Sequence, residues 1–118
     1  MEVVRRVSPR REGTGMTTYE DVQRFKALAD PTRLTLLHII SHGDGLLNVM
    51  DLRKRLNAQL GRNLAQPTIS HHLSILRDAR LIDCAKDERE AFYQLRNDAL
   101  TCAMEVLRTI ARRQEVGV

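Results

Sequence analysis

Between Pro67 and Leu95 the spacing of apolar residues changes period, and few small folds accommodate that change within so short a run. From Pro67 to Ala79 the pattern is helical: at about 100° per residue, Ile69, Leu73 and Leu76 fall within roughly 60° of one another. His71 points away from that seam, flanked by Pro67, Ser74 and Asp78, while Thr68 and Ser70 lie toward the sides. Proline suits the first helical position, where a missing amide costs nothing, and this puts Gln66 at the N-cap. After Ala79 the pattern alternates. Ile82-Asp-Cys-Ala85 and Ala91-Phe-Tyr-Gln-Leu95 read as short strands around the charged turn Lys86–Glu90, with Ala91, Tyr93 and Leu95 on one face. An aliphatic seam with small hydrogen-bonding groups at the exposed N-terminal end is the form a major-groove reading helix needs, because its first turns meet the base edges. An amphipathic surface helix with a polar face carries the same signature, so the neighbouring segments decide.

Upstream, a first helix is expected from about Thr18, with Val22, Phe25 and Ala29 at helical spacing. A second opens at Asp30-Pro31-Thr32, with Asp30 as N-cap, and is expected to turn Leu34, Leu37 and Ile40 inward before His42–Gly45 stops it. A third starts at Asn48 or a neighbour, carries Val49, Leu52 and Leu56, and runs to about Leu60, where Gly61-Arg-Asn63 breaks the pattern. The last helix begins near Asn97 and aligns Leu100, Ala103, Met104, Leu107, Ile110 and Ala111. The order is that of a winged helix-turn-helix: mainly α with a small β-hairpin, about five helices plus a two-stranded wing. The stripes of the first and last helices exceed what a small core covers, which predicts a homodimer through Val22, Phe25, Leu100, Met104, Leu107 and Ile110; burial within one chain is the alternative.

Composition sharpens this. At 118 residues the chain is sized for one domain with a single modest core. Aromatic residues are 3% and Trp is absent, so aliphatic side chains must fill that core, which favours packed helices over a large sandwich. The net charge of +4 suits a polyanionic partner. Residues 1–16, with Arg5, Arg6, Arg10 and Arg11, read as a disordered basic tail or an arm touching DNA, and 17–118 as the DNA-binding and dimerisation domain. No apolar run has membrane-spanning length and no secretion-signal stretch is seen, so a cytoplasmic location and no membrane partner are expected.

Three segments resemble the ArsR/SmtB family of small winged-helix repressors: Ala27-Leu-Ala-Asp-Pro-Thr-Arg-Leu34, Gln66-Pro-Thr-Ile-Ser-His-His-Leu-Ser-Ile-Leu76 and Ala91-Phe-Tyr-Gln-Leu95. The resemblance covers about Phe25 to Ile110 and implies a homodimeric repressor that leaves a palindromic double-stranded DNA operator when an inducer acts, the inducer being unknown. It implies that Gln66, Thr68, Ser70 and His71 face bases or nearby phosphates, and that Lys86 and Arg89 are wing contacts to the backbone. Asp83, Asp87, Glu88 and Glu90 surround that wing, so a self-neutralised solvated hairpin is the competing reading. Arg62, in the preceding turn, is a phosphate contact or a solvated side chain.

The departures from the family pattern are informative. Where many members carry a Cys-Val-Cys-Asp-Leu metal run, this chain has Asn48-Val-Met-Asp-Leu52, without thiolates for a soft metal. Where others hold zinc between the last helices, the matching places are Asp98, Leu100, Ala111 and Gln114, so no metal site and no cofactor are expected. The helix-turn-helix spacer, Asn57 to Asn63, is longer than usual by about five residues, which bears on the docking angle of the reading helix. After Ala79, a place commonly held by Gly, stands Arg80. Cys84 and Cys102 are possible thiol sensors, or in Cys84's case a small buried hydrophobe. His38 and His42 have ligand spacing but no convergent thiolate or carboxylate, and read as a helix-end pair. No nucleophile–base set or phosphate loop appears, so the chain does not read as an enzyme. A protein-interaction winged helix without a DNA site is the alternative from another class, and a thiol-responsive repressor is the variant within the first.

Overall fold

The computed structural model describes residues 17–116, so the basic segment expected at 1–16 lies outside the described residues. The elements are α1 (Tyr19–Leu28), α2 (Pro31–Ser41), α3 (Val49–Leu60), α4 (Gln66–Asp78), β1 (Ile82–Asp87), β2 (Glu90–Leu95) and α5 (Asn97–Val116), a winged helix-turn-helix with five helices and an antiparallel two-stranded hairpin. Three of the helix starts are capped by the side chains the sequence offers. Thr18 and Asp21 form a reciprocal capping box on α1, Asp30 accepts from the Arg33 amide on α2, and Asn48 and Asp51 repeat the box on α3.

Helix α4 differs from expectation at its start. Its N-cap is Ala65 and Gln66 is already helical, which moves Pro67 to the second position. That position is equally permissive, because its amide also lies among the unbonded ones of the first turn. Ala65 supplies no side-chain cap.

The core is aliphatic. Leu36, Leu52, Leu56, Ile69, Leu76 and Leu81 have no exposed surface, and Leu73 and Ile82 have almost none. In α2 the inward face is Leu36, Leu37, Ile39 and Ile40, whereas Leu34 is 45% exposed, contrary to expectation. In α1 the inward face is Asp21, Arg24 and Ala27, so Val22 and Ala29 look outward and Phe25 is only half-buried. Asp21 and Arg24 are joined at 3.0 Å inside the protein.

The hairpin pairs Ile82 with Leu95, Cys84 with Tyr93 and Lys86 with Ala91. Lys86 and Glu90 therefore belong to the strands, and the turn narrows to Glu88 and Arg89, with Glu88 at φ 58°. Leu47 adds a third, one-residue rung: its carbonyl accepts the Tyr93 amide at 3.1 Å. Arg96 joins the hairpin to α5, its amide bonding the Leu81 carbonyl and its guanidinium meeting Asp98 at 2.9 Å and Asp83 at 3.8 Å.

Helix α4 ends in a left-handed cap centred on Arg80, at φ 62°. The Leu81 amide bonds the Leu76 carbonyl and the Arg80 amide bonds the Arg77 carbonyl, the paired bonds of a Schellman motif. A side chain in that conformation is strained, and the Arg80 side chain is exposed. Arg80→Gly is therefore expected to raise the unfolding free energy by about 1 kcal/mol, the relief of strain exceeding the entropy glycine adds to the unfolded chain. Urea denaturation measures this; an unchanged or lower midpoint would show that the cap is unstrained.

Candidate nucleic-acid interface

The outward face of α4 is built by what its inward face buries. Ile69, Leu73 and Leu76 are sealed in the core, and this leaves Gln66, Thr68, Ser70 and His71 exposed at the N-terminal end. None of the side chains of Gln66, Thr68 and Ser70 bonds to another group among the described residues. His71 has only a tilted ring neighbour, His72, at 6.1 Å between centroids. A row of small donors and acceptors with no internal partner is a surface that gains from an external hydrogen-bonding edge.

Arg33, in the first turn of α2, fixes α4 against α1. Its Nε donates to the Ala27 carbonyl at 2.7 Å and one terminal nitrogen to the Lys26 carbonyl at 3.2 Å, satisfying the C-terminal end of α1. The other terminal nitrogen lies 3.3 Å from His72 Nδ1. A guanidinium only donates, so Nδ1 accepts and the His72 ring is neutral. Burial lowers the His72 pKa below 6.5, Arg33 and His71 lower it further, and Asp30 partly offsets them. This clasp gives a physical role to the Asp30-Pro-Thr-Arg33 segment that the sequence presents only as a motif.

On the turn before α4, the amide and carbonyl of Leu64 both meet the Asn57 side chain, at 2.8 and 3.1 Å. Arg53 Nε reaches the same carbonyl at 2.8 Å and a terminal nitrogen reaches Asn63 Oδ1 at 3.4 Å. Gly61 takes the left-handed conformation, φ 65°, that lets α3 end there. The spacer thus consists of the end of α3, to Leu60, and this braced turn.

Several cations stand exposed on the turn, the wing, α3 and the end of α4. Arg62 in the turn and Lys86 and Arg89 on the wing are exposed, and none is within ion-pair distance of a carboxylate among the described residues. The wing carboxylates do not pair with those cations: Asp83 meets Arg96, and Glu90 accepts from the Asn48 side chain at 3.3 Å. Lys54 and Arg55 on α3 are also exposed, with no ion pair among the described residues, and Arg77 and Arg80 flank the end of α4. Lys54 and Arg55, which stand in the run Arg53-Lys54-Arg55, were not singled out from the sequence.

The candidate dimer residues lie on the other side of the fold's logic, on α1 and α5, which pack together. Met104, Leu107 and Ile110 are 54, 55 and 63% exposed, Val22 is exposed, and Phe25 and Leu100 are half-buried. Tyr19 extends the α1 stripe and was not anticipated.

At the positions that the resemblance aligns with metal sites, several side chains are engaged elsewhere or carry no donor. The Asn48 amide is committed to the Asp51 cap and to Glu90, Asp98 is committed to Arg96, and Leu100 and Ala111 carry no donor. The Gln114 side chain lies outside the described ones. His42 Nδ1 donates to the His38 carbonyl at 2.8 Å, a helix-end arrangement. Both cysteines are half-buried free thiols. Cys84 faces Tyr93, whose hydroxyl pKa is raised by burial first and by that thiol second. The arginines near Cys102 in sequence are engaged elsewhere, Arg96 with Asp98 and Arg108 with Glu105.

The profile of the bacterial regulatory proteins of the arsR family matches residues 30–83, which span the second helix through the start of the wing. The transcriptional repressor SdpR of Bacillus subtilis is 33% identical over 76 residues, covering 64% of this chain and 76% of that protein. An ArsR-like transcriptional regulator from Rhodococcus sp. RHA1 shares the fold with a TM-score of 0.66 at 23% identity, over 81% of this chain and 83% of that one. The homodimeric winged helix-turn-helix DNA-binding domain Mb0332 from Mycobacterium bovis shares it at TM-score 0.58 and 17% identity, over 84% of each chain.

The neutral His72 has a consequence for stability. Because its folded-state pKa is depressed, the unfolded chain binds the extra proton more readily. The Arg33–His72 contribution is therefore complete above the ordinary value of 6.5 and is lost as pH falls through the lowered one. Denaturant unfolding of wild type and His72→Gln between neutral and mildly acidic pH should show the steeper loss in wild type; identical slopes would remove His72 from the account.

Proposed function

We propose, because this chain belongs to the arsR family of bacterial regulatory proteins, that it is a homodimeric repressor which reads a two-fold symmetric operator with α4 and leaves it when an inducer acts. It is a DNA-binding transcriptional regulator and not an enzyme. The observation that carries the finer reading is the N-terminal face of α4, where Gln66, Thr68, Ser70 and His71 stand exposed on a rod whose opposite side is fully buried. Those side chains meet base edges or adjacent phosphates. Arg62, Lys86 and Arg89 contact the backbone, a role that sets position without reading sequence.

The dimer forms through the outward stripes of α1 and α5: Val22, Phe25, Leu100, Met104, Leu107 and Ile110, extended by Tyr19. Exposed apolar area of this kind on paired helices favours association, and the Mycobacterium bovis domain of the same fold is described as homodimeric. Two copies present two reading helices to half-sites about one helical turn, or a small multiple, apart. An inducer then acts by changing that separation, so its site is coupled to the dimer contact. The donors at the family's metal positions argue for an inducer other than a metal bound there. Among the described residues no helix is long and apolar enough to cross a membrane, and a regulator of DNA works in the cytoplasm.

Selection of bound sequences from random duplex DNA tests the reading directly. On the selected duplex, Ser70→Ala and His71→Ala are each expected to weaken binding by roughly 1–3 kcal/mol without changing the fold. Equal losses on selected and random duplexes would count against base reading. Leu107→Glu should convert the dimer to monomer in sedimentation; a variant that still sediments as a dimer would move the contact elsewhere.

A further inference from the structure

The turn between α3 and α4 is long, yet it is closed at its base. The Asn57 carbonyl accepts the amides of Gly61 and Arg62, the latter at 3.0 Å. The Asn57 side chain accepts the Leu64 amide at 2.8 Å and donates to the Leu64 carbonyl at 3.1 Å, as a neighbouring strand would. Arg53, four residues earlier on the same helix, adds a second donor to that carbonyl at 2.8 Å. Residues 61–63, beyond the end of α3, are therefore an excursion that the clasp bypasses, with Leu64 bonded back to Asn57. Helix α4 begins two residues later, at Gln66, with no side-chain cap of its own. Its N-terminal turn is consequently placed by Leu64 on one side and by the buried Ile69 on the other.

We propose that Asn57, seconded by Arg53, is the positioning residue of the reading helix: it sets where Thr68, Ser70 and His71 stand relative to the duplex, independently of the excursion. The inference rests on α4 being the base-reading element. Base edges demand donors held to about 0.5 Å, a tolerance a free turn of this length would not keep.

Three proteins test it: wild type, Asn57→Ala, and a variant with two glycines inserted between Arg62 and Asn63. Each is measured on the duplex selected by wild type, on a random duplex, and by amide exchange at Leu64. Asn57→Ala is expected to lose about tenfold or more on the selected duplex but under about twofold on the random one, with faster exchange at Leu64. The glycine insertion is expected to leave both affinities within about twofold, since it lengthens only the bypassed excursion. Should Asn57→Ala fail to fold, Arg53→Lys carries the same comparison with a smaller loss. Retained preference in Asn57→Ala, equal loss on both duplexes, or loss of preference on insertion overturns the clasp while leaving base reading in place. A wild-type protein that selects no sequence overturns both.

Discussion

A helix whose outward polar groups have no partner among the described residues is held chiefly by what its other side buries. In α4 that burden falls on Ile69, Leu73 and Leu76, each with essentially no surface left to solvent. Removing a side chain of this size from water is worth roughly 1.5–3 kcal/mol. The seam fixes rotation about the helix axis, but three aliphatic contacts resist sliding along that axis poorly. Directional bonds supply the missing restraint: Arg33 to His72 near the middle of the helix, and the Asn57 side chain to Leu64 just ahead of it. Together they hold Thr68, Ser70 and His71 in place while leaving their side chains open to solvent.

Polarity is distributed in the opposite way on α1. Its buried side holds Asp21 and Arg24, and its apolar stripe faces out. A monomer gains little from such an arrangement, because an ion pair taken from water roughly cancels its own attraction. Asp21 lowers that cost by also capping the helix, accepting from the Thr18 amide at 2.9 Å. In the proposed dimer the exposed stripe is the surface a second chain covers, while the ion pair joins two buried side chains of α1.

How far the sequence foretold this depends on the kind of contact. The alternation after Ala79 and the aliphatic seam before it are local patterns, and both strands and the buried face of α4 were legible from them. The caps at Asp30 and Asn48 were legible for the same reason. Leu34 was misplaced because α2 is apolar on nearly every side, so periodicity offers no single inward face. Asp21 and Arg24 were invisible because charged residues are ordinarily expected outside. Gln66 was put one position too early in the cap because proline fits the second helical position as well as the first. The clasps of Arg33 and Asn57 join groups far apart in sequence, or bond backbone atoms, which leave no residue-type signal.

The single rung between Leu47 and Tyr93, and the Asn48–Glu90 bond nearer the turn, tie β2 of the wing to the start of α3. Hairpin and helix-turn-helix are thereby joined by directional bonds as well as by the core. Under the proposed reading, a wing tied to α3 in this way would grip or release the backbone together with the groove.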